Sequence, residues 1–186
     1  MKLFIQNMVS LRCKMLVKQE LEKLHLHYTY LELGEIHLTK DISDADKHTL
    51  QAALHKAGLE IMDDKKSIII ERIKNVIVEM IHYADEMPKE KYSAYISEKV
   101  GKDYHFLSEL FSRNKGITIE HFIILHKIER AKELMMYNEL TISEIAYKLN
   151  YSSVAHLSHQ FKKVTGLTPT FFKQMNRKKR KNLEDI

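Results

Sequence analysis

Apolar residues between positions 140 and 172 (LTISEIAYKLNYSSVAHLSHQFKKVTGLTPTFF) recur at helical spacing in two blocks, separated by a polar turn. Thr141 followed by Glu144 is a capping-box pattern, so a helix is predicted to begin near Ile142 with Ile145, Ala146 and Leu149 as its apolar stripe. Asn150, Tyr151, Ser152 and Ser153 are turn and cap residues that end it. On the helix that follows, 100° per residue puts Leu157, Phe161 and Val164 inward, with Ser153, Val154 and Gln160 beside them. The opposite face carries Ser152, Ala155, His156, His159, Lys162 and Lys163, with no acid among them. Gly166 stands where a left-handed cap is wanted, and Thr168 with Pro169 supplies an N-cap and first-turn proline for a closing helix.

The same unit occurs earlier. FLSELFSRNKGITIEHF (residues 106–122) aligns without gaps on HLSHQFKKVTGLTPTFF (residues 156–172), so Leu107, Ser108, Phe111, Gly116, Thr118 and Phe122 recur as Leu157, Ser158, Phe161, Gly166, Thr168 and Phe172. In this first unit a helix over 92–100 precedes an exposed helix over 104–114, capped by Asp103. Leu107, Leu110 and Phe111 point inward there, and His105, Ser108, Glu109 and Ser112 point out. A helix over 118–137 joins the units; about 20 residues at 1.5 Å each span about 30 Å. Two helix-turn-helix units are therefore predicted, at a separation close to one turn of duplex DNA, about 34 Å.

The N-terminal half reads differently. Residues 2–8 are a predicted strand, 12–24 a helix, 27–33 and 36–39 a hairpin turning at Gly34-Glu35, 44–57 a helix closed by Gly58, and 59–62 a last strand. That order, βαββαβ, is the ferredoxin-like arrangement. Residues 64–83 (DKKSIIIERIKNVIVEMIHY) form a long helix with more apolar surface than one exposed helix needs. It is expected to pack between domains or against a second copy, making a homodimer through this helix. The fold class is thus α+β: a ferredoxin-like module (1–63), a connecting helix and linker (64–91), an all-α domain of two helix-turn-helix units (92–174) and a basic tail (175–186).

Charge separates the halves. Residues 1–83 carry equal numbers of acidic and basic side chains, so the whole net charge of +5 resides in residues 84–186. Between 140 and 181 Glu144 is the one acid, and the run RKKRK (177–181) adds five cations. Such an excess attracts phosphates in a salt-dependent way. Small groups on the exposed face of the second unit allow approach to base edges, while Lys162 and Lys163 suit the backbone. A single cysteine, Cys13, forbids an intrachain disulfide and fits a reducing cytoplasm. No apolar run approaches the ~18 residues of a membrane span. No glycine-rich phosphate loop, triad or paired-acid motif is present, so an enzyme is not expected.

The segments IEHFIILHKIERAKELM and LTISEIAYKLNYSSVAHLSHQFKKVTGLTPTFFK, with the first unit, resemble the AraC/XylS-type transcription regulators over about residues 92–173. The resemblance implies a cytoplasmic regulator of transcription, an activator more often than a repressor, with double-stranded DNA and RNA polymerase as partners and no cofactor. Carried over residue by residue, the base-contacting positions of that family fall on His105, Ser108 and Glu109 in the first unit and on Val154, Ala155, His156 and His159 in the second. Glu109 departs from the basic or amide residue often found there; a carboxylate accepts from cytosine N4 but is repelled by phosphates.

The N-terminal module resembles the heavy-metal-associated domain, whose first loop carries Met-x-Cys-x-x-Cys. Here that loop reads Met8-Val9-Ser10-Leu11-Arg12-Cys13, with serine in place of the first cysteine, and a hydroxyl is a poor ligand for a soft metal. The alternative function is accordingly a metal-responsive regulator or soft-metal carrier using Cys13. His25 and His27, expected on one face of a strand, and His37 do not have tight ligand spacing. An alkyl-transfer role for Cys13 would need a four-ligand cysteine site that one cysteine cannot supply.

Overall fold

The structure is a computed structural model that describes residues 1–62 and 64–175; the basic run 177–181 lies outside the described residues. Contacts divide the chain into two compact units, one of residues 1–76 with 96–110, the other of 77–95 with those from 111 onward.

In the first unit the chain runs β1 (Lys2–Gln6), α1 (Leu11–Lys23), β2 (Tyr28–Glu32), β3 (Glu35–Leu38), α2 (Asp44–His55), β4 (Glu60–Met62). The strands form one antiparallel sheet in the order β2-β3-β1-β4, with Leu3 opposite Ile36 and Ile5 opposite Ile61. Alternation sends Leu3 and Ile5 of β1 and Ile36 and Leu38 of β3 to one side, where they share a core with Val17 and Leu21 of α1 and Leu50 and Leu54 of α2. Burying side chains of this size contributes about 1.5–3 kcal/mol each, which is what holds two short helices on a small sheet.

Several boundaries shift for local reasons. β1 stops at Gln6, before the predicted end at 8, because Asn7 takes a left-handed φ of 64° and its amide leaves the ladder for Glu71. The hairpin turns at Leu33 and Gly34, and Glu35 belongs to β3, paired with Phe4. Neither His25 nor His27 is on a strand: His27 precedes β2, and His25 follows α1 with a φ of 54° and closes that helix by donating its N–H to Glu22 O.

The helix after the sheet, α3 (Lys65–Val78), continues into a π-helical turn, Glu79–Tyr83, where an unbroken α-helix is predicted. Its apolar residues Ile70, Ile73, Ile77, Val78, Met80 and Ile81 are buried within the chain itself. So are two polar residues. Glu71 accepts the Asn7 N–H at 2.9 Å and pairs with Lys74 at 2.8 Å; Asn75 Nδ2 donates to Leu33 O at 3.0 Å. Both anchor α3 to the sheet.

The remaining helices are α4 (Tyr92–Val100), α5 (Tyr104–Lys115), α6 (Ile119–Tyr137), α7 (Ile142–Lys148) and α8 (Val154–Thr165), and the chain is helical again over 169–175. In the second unit Ile128, Ala131, Leu134 and Met135 of α6 pack with Ile145 and Ala146 of α7, with Leu149 at its end, and with Leu157 and Phe161 of α8. The predicted stripes of α7 and α8 are the side chains that meet there.

Gly34 has a φ of +78°, and a Cβ built on it lies 2.0 Å from Asn75 Nδ2. Gly58 has a φ of +73° with open space around it. Gly34→Ala is expected to cost on the order of 3 kcal/mol, combining backbone strain with loss of the Asn75 anchor, and Gly58→Ala about 1 kcal/mol, from strain alone. Urea unfolding of the two variants checks the difference.

Candidate nucleic-acid interface

α8 is delimited by its own sequence. Ser153, in extended conformation, accepts the His156 N–H on Oγ at 3.1 Å, and Gly166 ends the helix at φ 77° while donating its N–H to Lys162 O at 2.9 Å. Leu157 and Phe161 are fully buried, which turns the other side outward. Ser152, Ala155, His156, His159, Lys162 and Lys163 are exposed there. Val154, which periodicity sets beside the core, is 39% exposed and belongs to this outward face.

α7 is braced before α8 by the capping box read from the sequence. Thr141 Oγ1 accepts the Glu144 N–H at 3.2 Å and the Glu144 carboxylate accepts the Thr141 N–H at 2.7 Å. Hydrogen bonds from the Thr141 backbone and hydroxyl hold the Glu144 carboxyl below its ordinary range. At the far end, Lys173 Nζ donates to Leu140 O at 2.8 Å and ties the closing helix to the start of α7.

The sequence repeat is a geometric repeat. Phe111 and Phe122 meet edge to face at 5.4 Å and 62°; Phe161 and Phe172 meet at 5.5 Å and 66°. Gly116 donates to Ser112 O at 2.9 Å as Gly166 does to Lys162 O, and Thr118 and Thr168 cap the helices that follow. On α5 the Asp103 carboxylate accepts the Phe106 N–H at 3.2 Å, the counterpart of Ser153 and His156. His105 and Glu109 are exposed and Ser108 is half-buried. Phe106, aligned with His156, is 44% exposed; the repeat itself points to it, although aromaticity alone suggests core.

Two histidines on α8 face a cleft. His121, Ile124 and Leu125 of α6 and His156, His159 and Lys163 of α8 line a concavity of about 390 Å³, and among the described residues no carboxylate is in its wall. His156 is fixed twice: Nδ1 lies 3.1 Å from Ser152 Oγ, and its ring meets Tyr151 edge-on at 5.3 Å.

Cys13 has a different setting. Ser10 caps α1, accepting the Cys13 N–H at 3.3 Å, and its Oγ lies 3.2 Å from Cys13 Sγ. The serine in the first-cysteine position thus has a structural task. Among the described residues no group of three or more His, Cys, Asp or Glu side chains is gathered as a metal site. His37 Nε2 sits 2.7 Å from Glu35 Oε1, and the His82–His126 pair (3.3 Å), which sequence spacing did not suggest, is joined by Glu133, 3.6 Å from His82 Nδ1. Burial pushes the His82 imidazole below its ordinary pKa.

Residues 96–175 match the helix-turn-helix domain family. The chain carries a helix-turn-helix domain over these residues. It is 28% identical over 122 residues to an uncharacterized HTH-type transcriptional regulator of Staphylococcus aureus (strain MSSA476), an alignment covering 66% of this chain and 15% of that protein. The C-terminal domain of AraT, a response regulator from Geobacillus stearothermophilus, superposes with a TM-score of 0.51 at 25% identity, covering 60% of this chain and 88% of that one. The DNA-binding domain of AdpA, solved with a target DNA, shares the fold at 15% identity and a TM-score of 0.50, covering 59% and 96%. The first two are regulators by name and the third a global transcriptional factor. Among the described residues no helix is long and apolar enough to cross a membrane.

Removing the α8 cap by Ser153→Ala is expected to cost about 1 kcal/mol and to speed amide exchange in the first turn of α8, most at His156. Hydrogen exchange followed residue by residue checks this.

Proposed function

We propose that this protein is a sequence-specific DNA-binding transcription regulator whose α8 enters the major groove, with α5 entering a neighbouring groove segment. The observation that carries the reading is the outward face of α8: exposed, free of acids, and set over buried Leu157 and Phe161. Val154, Ala155, His156 and His159 are the base-contacting residues in this reading, and Lys162 and Lys163 meet phosphates. The matching phenylalanine pairs and glycine caps support α5 as the second reader, through His105, Ser108 and Glu109, with Phe106 against a thymine methyl.

The element order and strand order of the N-terminal sheet support a ferredoxin-like module, which we assign a modulating role. Activation through RNA polymerase and a cytoplasmic setting follow from the family resemblance. The chain spans 15% of the length of its Staphylococcus relative, so this proposal concerns the segment in hand.

Selection of bound duplexes from a random library, followed by anisotropy titration, tests the reading. The expected result is one enriched motif with two half-elements. Lys162→Ala and Lys163→Ala should each weaken all duplexes alike and lower the salt slope by about 1, whereas Ala155→Glu should abolish preference. Equal, weak binding of every duplex would falsify the proposal. Glu109→Gln separates its two roles: loss of preference at one cytosine marks base readout, and uniform tightening marks phosphate repulsion.

A further inference from the structure

Lys127, in the middle of α6, is 6% exposed. Its Nζ lies 3.4 Å from Asn150 O and 3.5 Å from Tyr92 OH, and it sits 4.0 Å from the centroid of the Tyr151 ring and 5.6 Å from that of Tyr92. The groups facing it are thus Tyr92 of α4 and Asn150 and Tyr151 of the α7–α8 turn: two phenols, a carbonyl and two ring faces, not a carboxylate. Asn150 holds a left-handed φ of 53° as the chain turns from α7 into α8. The Tyr151 ring, in contact with Lys127 on one side, meets the His156 ring at 5.3 Å and 90°.

We propose that Lys127 is a positioning residue for base recognition, its buried ammonium holding Asn150 O and the Tyr151 ring so that Tyr151 sets the orientation of His156 on α8. This rests on the reading of α8 as the DNA-facing helix. A buried ammonium in this place is unfavourable for folding, since burial removes it from water and, among the described residues, no anion is paired with it. Burial lowers its pKa to about 8. An unfolded chain therefore binds more protons than the folded one above that pH, and the group makes stability rise with pH through the interval up to the ordinary lysine value. An apolar side chain of similar length would remove the penalty. What the charge supplies is a cation–π contact and a donor to a turn carbonyl, both strengthened by the buried setting.

The test uses the full chain and the duplex selected for it. Lys127→Met is expected to melt at the same temperature as the wild type or several degrees higher, yet to bind the selected duplex at least tenfold more weakly. Its loss should be largest at the base pair where His156→Ala loses discrimination. Lys127→Arg, which keeps the charge, should restore most of the affinity. In wild type the affinity should fall between pH 7.5 and 9, where Lys127 discharges while burial keeps Tyr92 and Tyr151 un-ionised; in Lys127→Arg it should stay flat. In a double-mutant cycle, Lys127→Met and His156→Ala should be strongly non-additive.

Wild-type affinity retained in Lys127→Met, or additive losses in the cycle, overturns the proposal while leaving the DNA reading intact. Should Lys127→Met fail to fold, a Lys127→Arg profile that falls at the same pH as wild type overturns it as well. A wild-type protein that prefers no duplex removes the DNA reading itself, and this proposal with it.

Discussion

α8 has 12 residues, and an isolated helix of that length is barely stable in water. It can present a face only because its other face is fastened. Leu157 and Phe161 supply the fastening, sunk among Ile128, Ala131 and Met135 of α6, Ile145 of α7 and Leu149 at its end. Phe172, edge-on to Phe161, extends the seat into the closing helix. The same edge-to-face arrangement between Phe111 and Phe122 holds α5 in the first repeat. Where the polar side chains of each helix point is a consequence of where these two phenylalanines are buried.

Electrostatics is arranged in layers around that seat. The outermost residues of α8 are imidazoles and ammonium groups with water around them, suited to a polyanion whose attraction weakens with salt. Beneath the turn that leads into α8 lies Lys127, a buried cation set between aromatic rings and a turn carbonyl. A surface charge of this kind costs little; a buried one has to be explained. Its place between Tyr151 and the α7–α8 turn ties it to the orientation of His156 rather than to the cohesion of the core.

The parts legible in the sequence were those governed by neighbours a few residues apart. The capping box at Thr141 and Glu144, the Ser153 cap, the Gly166 end and the apolar stripes of α7 and α8 all lie within one or two turns of the residues they act on. The duplicated phenylalanine and glycine pattern was legible because it repeats. Glu71, Asn75 and Lys127 were not, because their partners lie 64, 42 and 23 residues away, and no helical periodicity marks a charged or amide side chain as buried. The π-helical turn at Glu79–Tyr83 escaped for a related reason: the apolar pattern there suits either helix type. In the first unit, His25 lies off the expected strand because a left-handed turn after α1 interrupts an alternation that looks continuous in one dimension. Ser10, which stands where the metal-binding loop has its first cysteine, caps α1, a role set by the Cys13 amide that no reading of ligand spacing brings out.

If the DNA-facing surface is the outward face of α8, a bound duplex must change the surroundings of that face first. Amide spectra of uniformly labelled protein, recorded as the selected duplex is added, test it most directly. The largest shifts are expected at Ala155, His156, His159 and Lys163, with the buried Leu157 and Phe161 little changed. Shifts confined to the sheet of the N-terminal module, with α8 unaffected, would contradict it.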